Sequence, residues 1–339
     1  LSTASIGSSF SSMSRSVVRS IIAPYIDGLL EEKHANGYAY ESEELVLNRF
    51  DTYCINKNLK TPEINKIFLE DWMKHSETEG AFNHGKRISC VRQLLLFMAT
   101  CGINVYIPHD FCHFKRALPH IFEAEELISF FAEVDSYVPP ENRPACHYRL
   151  ANEYRLLFRW YLCCGLRNSE AAGILTENVD LETGTLTILD SKGNKDRLVY
   201  LPDDLLESTR QYYSYLKEIL GKEPKWFFPG MNPEKSLPNT TVDSVFSRFW
   251  KKTPYADCTN KPTVHDFRFS FVVLRMNLWA ESDEDLRVMM PYLSRYLGHK
   301  SINETFYYYY LVKDAYKNNR KERICRAYLF CALLRHRIL

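Results

Sequence analysis

The chain has 339 residues, 45% hydrophobic and 25% charged, which suits a soluble protein of two domains rather than one. A net charge of +1 leaves nucleic-acid binding to be decided by local charge, not by the total. No apolar run approaches the roughly 20 residues of a membrane span, and the 10 cysteines include no CxxC pair, so they read as reduced thiols rather than zinc ligands or disulfides.

The Ser-rich residues 1–15 lack an apolar signal core and read as a flexible leader. From about Ser16 to His109 the apolar spacing is helical. Ile22, Ile26 and Leu29 mark a first helix, Leu47, Phe50 and Cys54 a second, Phe68 and Trp72 a third. Ile88, Val91, Leu94, Leu95 and Met98 mark a fourth, ended by Gly102. Four such helices predict a small helical domain over 16–109. His84-Gly85-Lys86-Arg87 is a basic step into the fourth helix. Lys86 and Arg87 there either meet DNA phosphates or form a solvated helix start.

Residues 110–118 read as a linker, bracketed by Pro108 and Pro119. The nearby trio His109, Cys112 and His113 has no partner pair at zinc-finger spacing and reads as accidental. A second domain spans 119–312. Leu150, Tyr154, Leu157, Phe158 and Tyr161 form one apolar helical stripe, ended by Gly165. The period then drops to two: Thr185 to Ile188 and Leu198 to Leu201 predict strands joined by a turn at Lys192-Gly193-Asn194-Lys195. Helices resume near Leu205, Val242 and His265. The fold class is mainly α with a small β-hairpin or sheet: a helical domain followed by an α+β domain. In the tail, 313–339, Ile324, Tyr328, Leu329, Leu333 and Leu334 recur at helical spacing among basic residues opposed only by Asp314 and Glu322.

Several polar residues stand at junctions. Arg167 follows Gly165-Leu166, where Asn168 or Ser169 suits a helix cap. Alone, it reads more often as a surface ion-pair residue. His265 and Arg268 are three apart on a helix begun by Pro262-Thr263, and so share a face. Alone, that is a solvated helix face. Leu297-Gly298-His299 precedes four tyrosines, Tyr307 to Tyr310. Successive helical residues turn by about 100°, so only one or two of those hydroxyls face a given site.

Read in order, "CGLRNSE", "DSKGNKDRLVYLP", "HDFRFSF" and "YLGHKSINETFYYYY" resemble the catalytic signature of the tyrosine recombinase (phage integrase) family, of the integrase or transposase type found in mobile elements. The likeness covers Pro119 to Tyr310, and the helical domain is similar, more weakly, to that family's core-binding domain. By motif position the resemblance implies catalytic roles for Arg167, Lys192, His265, Arg268, His299 and Tyr308, with Glu170 in support. Lys86, Arg87 and Lys195 are the candidate DNA contacts. The family pattern sets the nucleophile nine residues after His299, which selects Tyr308, while Tyr307 and Tyr309 stay open if the loop differs by one residue. Phe269 departs from the family, where His is frequent after the arginine.

The implied reaction is metal-independent cleavage and rejoining of DNA through a 3′-phosphotyrosine, for integration, excision or transposition, with no cofactor. No carboxylate cluster suited to two metal ions is evident in the sequence. Implied partners are double-stranded DNA bearing a recombination site, clamped between two domains, three further copies in a homotetramer that passes through a Holliday junction, and accessory directionality proteins. No membrane is implied, and the setting is cytoplasmic. The tail would dock on a neighbouring protomer, or pack on its own domain. The alternatives are a type IB topoisomerase-like enzyme and a DNA-binding relative that has lost catalysis.

Overall fold

The computed structural model describes residues 19–109, 118–191, 195–282, 284–299, 301–306 and 308. Outside them lie the leader, all but the last residue of the linker, Lys192, Tyr307, Tyr309 and the tail, and the Lys195 side chain is likewise not described. The chain divides into two units, Leu1–Arg116 and Ala117–Leu339.

The first unit is helical. Pro24 sits in the first turn of α1 (Ala23–Ala35), where a missing N–H costs nothing. Glu41, Glu43 and Glu44 open α2 (Glu41–Asn56), placing negative charge at the positive end of the helix dipole. Asn65 caps α3 (Lys66–Met73) by accepting from the Phe68 N–H at 2.9 Å. The longest of these helices is α4 (Ala81–Thr100), which presents Ile88, Val91, Leu94, Leu95 and Met98 to the interior. Ile26, Leu29, Leu47, Phe50 and Leu69 complete that core. Trp72 meets Phe50 edge-on at 5.1 Å, a favoured aromatic geometry.

In the second unit, α5 (Ala124–Asp135) and α6 (Ala145–Cys164) come first. Nearly every residue of α6 from Arg149 onward is buried, as a helix enclosed on all sides requires. It packs against α8 (Asp203–Leu220) and α10 (Val264–Glu281). Phe122, Phe130, Phe158, Phe246, Phe249 and Phe267 form the core beside it, with α9 (Asn239–Trp250) supplying two of them. Short α7 (Asn168–Ala172) follows the end of α6, and α11 (Leu286–Leu297) follows α10.

The hairpin predicted from alternation is part of a three-stranded antiparallel sheet, order β1-β2-β3. The strands are β1 (Val179–Asp180), β2 (Thr185–Ser191) and β3 (Lys195–Tyr200). β1 is two residues long, too short to show a period of two. Leu186 pairs with Val199 and Ile188 with Arg197, so one sheet face is apolar apart from an arginine, while Leu198 and Tyr200 point to solvent.

Candidate active site

Two helix ends build the floor of the site. α6 stops at Gly165 and α11 at Gly298, both left-handed, with φ +63° and +65°. The last carbonyls of a helix lack intrahelical partners and carry partial negative charge. Arg268, from α10, reaches into that region: its guanidinium donates to the Gly165 carbonyl at 2.7 Å and the Leu297 carbonyl at 2.6 Å. Its side chain, 1% exposed, is thus held at two points by backbone. Burial first, then the Arg167 charge, pull its pKa down to about 10, so it stays a cation at neutral pH.

Arg167 is itself the N-cap of α7, a position expected for Asn168 or Ser169. Glu170 makes this possible, because its carboxylate accepts the Arg167 backbone N–H at 2.8 Å. The same carboxylate takes the Arg167 guanidinium at 2.6 Å, and that guanidinium also donates to the Gly298 carbonyl at 3.0 Å. Both arginines therefore stand at the end of α11, within one small region of the second unit.

Glu170 is held from its other side by Arg197 of β3, which donates to both carboxylate oxygens at 2.9 and 2.7 Å and to the Tyr296 carbonyl at 2.8 Å. Burial alone would raise the Glu170 carboxyl, but Arg197 and then Arg167 outweigh it and hold it at about 2. Arg197 was not among the predicted site residues. It precedes the strand predicted over Leu198 to Leu201, and only the register turns it inward, where a charge demands a buried partner.

His299 follows Gly298. Its Nε2 lies 3.2 Å from the Arg268 guanidinium and its Nδ1 2.8 Å from the Thr305 hydroxyl. A guanidinium only donates, so Nε2 accepts, and Nδ1–H donates to fully buried Thr305. The Tyr308 ring stacks on His299 at 5.7 Å and 18°. Tyr308 is 5% exposed. Burial raises its pKa, while the charge of Arg268 and a hydrogen bond with it act the other way.

His265 lies one turn before Arg268 on α10 but at a different depth: Arg268 is buried, whereas solvent reaches His265. The protein packed around the imidazole, then the Arg268 charge, lower its pKa, which favours the neutral ring. The capping box of Thr263 and Asp266 starts this helix, as Pro262-Thr263 suggested. A cleft of about 920 Å³ between β3 and α11, lined by Arg197, Tyr200, Tyr292, Tyr296 and His299 among others, opens beside these groups.

The structure thus brings Arg167, Glu170, Arg268, His299 and Tyr308 together, with His265 on the same helix as Arg268. Lys192 lies outside the described residues. Lys86 and Arg87 belong to the first unit and differ sharply. The Arg87 guanidinium is spent on Glu79, at 2.8 and 2.7 Å, and on the Trp72 and Lys74 carbonyls, and it stacks over the Trp72 ring. Lys86 pairs with Glu43 at 3.3 Å and keeps its ammonium partly exposed.

The model of the phage integrase family matches residues 143–315 of the chain. A putative integrase/recombinase, y4rE, of Sinorhizobium fredii is 25% identical over 84% of this chain and 89% of the relative. The tyrosine recombinase XerD of Rhizobium meliloti is 24% identical over 86% and 92%. Among solved structures, the Tn1549 transposon integrase in complex with transposon right end DNA has a TM-score of 0.59 at 14% identity, covering 86% of this chain and 97% of that one. A lambda integrase dimer bound to a core site has a TM-score of 0.56 at 17% identity, covering 84% and 94%. These structural likenesses are of fold.

Proposed function

The chain belongs to the phage integrase family and is a tyrosine recombinase, a site-specific enzyme that cleaves and rejoins DNA, and we propose that Tyr308 is its nucleophile. The observation that carries this reading is the gathering of two arginines and a histidine about one buried tyrosine: His299 bonds Arg268 and stacks on Tyr308, and Arg167 shares the helix end that Arg268 caps.

The Tyr308 phenol oxygen attacks the scissile phosphorus, its proton passing to neutral His265. The bond from phosphorus to the 5′-oxygen breaks, leaving a 3′-phosphotyrosine, and Lys192 protonates the departing 5′-oxygen. Attack by a second strand's 5′-hydroxyl reverses these steps, so the bond energy is conserved and no ATP is consumed. Charge that gathers on the non-bridging oxygens is met by Arg167 and Arg268, already positioned by backbone carbonyls and Glu170. Such preorganised charge is usually the largest catalytic contribution. His299, whose Nε2 accepts from Arg268 in the structure, bonds the same phosphate once Nε2 carries a proton, and Glu170 buttresses Arg167.

The partner is a DNA duplex carrying a recombination site, and the working assembly is a homotetramer, as a lambda integrase tetramer forms on a Holliday junction. The first unit acts as the core-binding domain, with Lys86 the better placed of its two basic candidates to meet phosphate, and Lys195 a further contact from the hairpin. The tail, 313–339, docks on a neighbouring protomer, accessory proteins set direction, and the reaction takes place in the cytoplasm. Among the described residues no helix is long and apolar enough to cross a membrane.

The test is a nicked suicide duplex spanning the ends of the encoding element, on which cleavage releases a short fragment and traps the enzyme. A covalent adduct mapped to Tyr308, absent in Tyr308→Phe, supports the reading. An adduct on Tyr307 or Tyr309 overturns the nucleophile. DNA binding without any adduct points to a catalytically decayed relative, and relaxation of plasmids that lack a target site points to topoisomerase-like action.

A further inference from the structure

We propose that Phe269 is a positioning residue for the nucleophile, clasping the Tyr308 ring against His299; this rests on the reading of Tyr308 as the attacking group. Phe269 lies next to Arg268 on α10, and its ring meets Tyr308 at 4.9 Å and 34°. The His299 ring also stacks on Tyr308, at 5.7 Å and 18°. Tyr308, 5% exposed, thus packs against two rings, which restrict rotation about its two side-chain bonds. His265, one helical turn before Phe269, braces it edge-on at 5.1 Å and 87°. His265, Phe269, Tyr308 and His299 form one continuous run of rings, with the Arg268 charge acting on the Tyr308 phenol.

The choice of phenylalanine has a chemical consequence. A polar ring next to the phenol would offer its hydroxyl a second hydrogen-bond partner and a second direction. Phe269 supplies a face and no donor or acceptor, so it fixes the ring without competing for the phenol oxygen. Attack on phosphorus is sensitive to such aim, because reacting atoms must be held close to the in-line geometry.

Removing an aromatic contact of this kind converts to a fold-change of about 10, or about 1.4 kcal/mol. The experiment is single-turnover cleavage of the nicked suicide duplex by the full chain, with DNA affinity measured separately by gel shift. Phe269→Leu keeps apolar bulk but loses the ring, and is expected to cleave about 10-fold more slowly at unchanged affinity. Phe269→Tyr keeps the ring face but brings a hydroxyl beside the phenol, and is expected to recover only part of the rate. A second substrate carries sulfur in place of the departing 5′-oxygen, which leaves without a proton. The Phe269→Leu deficit persists on it if the phenol's aim is what was lost.

Wild-type cleavage by Phe269→Leu overturns the proposal, as does a deficit that vanishes on the sulfur substrate, which would place Phe269 on the leaving-group side. Equal slowing of both variants with weakened DNA binding also overturns it, as a merely structural role. Mapping of the trapped adduct separates the two levels. An adduct on Tyr308 with no effect at Phe269 sinks this inference alone, whereas an adduct on a neighbouring tyrosine sinks the reading beneath it.

Discussion

Replacing Arg197 with methionine keeps most of the side chain's length and removes its charge. The variant loses two bonds to Glu170 and one to the Tyr296 carbonyl, and leaves a carboxylate, 7% exposed, with Arg167 as its remaining cationic partner. Breaking a buried pair by removing one member costs about 3–5 kcal/mol, and since Arg167 stays in place the loss should fall near 3. The titration of Glu170 has the same sense: Arg197 first, then Arg167, favour its charged form and hold the carboxyl at about 2. A carboxyl with a lowered pKa stabilises the fold above its ordinary value, and that contribution is lost as pH falls toward the lowered one. The gap between wild type and Arg197→Met is therefore full at pH 7 and narrows from about pH 5 downward. Urea unfolding followed by tryptophan fluorescence at pH 7 and pH 4 measures both values. Arg197→Met combined with Glu170→Gln removes the stranded charge and should regain most of the loss. A double variant no more stable than Arg197→Met, or a gap that widens in acid, refutes the stranded-carboxylate reasoning.

Arg268→Lys should not behave as a conservative change. A single ammonium cannot span the Gly165 and Leu297 carbonyls, and single-turnover cleavage is expected to fall by about 100-fold or more. Gly165→Ala combines a backbone at φ +63° with a methyl group that would overlap the Phe271 ring; thermal unfolding should show a loss of about 2–4 kcal/mol. Thr305→Val removes the acceptor for His299 Nδ1 and is expected to slow cleavage several-fold while DNA affinity in a gel shift is unchanged. Because the His265 pKa is lowered, the ring is neutral at pH 7, and the acid limb of the cleavage profile should lie below about pH 6.5; a limb above that value would argue against His265 as the base.

Much of this molecule was legible before any coordinates. The helices of the first unit follow from apolar residues three and four apart, and the hairpin from a change of period between Thr185 and Leu201, because both signals depend only on neighbours along the chain. Motif order alone offered Arg167, Glu170, Lys192, His265, Arg268, His299 and Tyr308 as candidates, and the structure brings Arg167, Glu170, Arg268, His299 and Tyr308 together. Three features were not legible. β1 is shorter than any period it could display. Arg197 was hidden within a strand whose inward face is visible only once register is known. Phe269 was noted as a departure from the family, but its partner is 39 residues away in sequence.

The distinction has a physical cause. Residue order and hydrophobic period determined the elements and the family to which the chain belongs, since these rest on interactions within a few residues. The meeting of charges was decided by tertiary packing. Arg167 bonds a carbonyl 131 residues away, and Arg268 one 103 residues away. Both contacts exist because the ends of α6 and α11 arrive at one place with carbonyls unpaired, a circumstance of helix packing that no local pattern records.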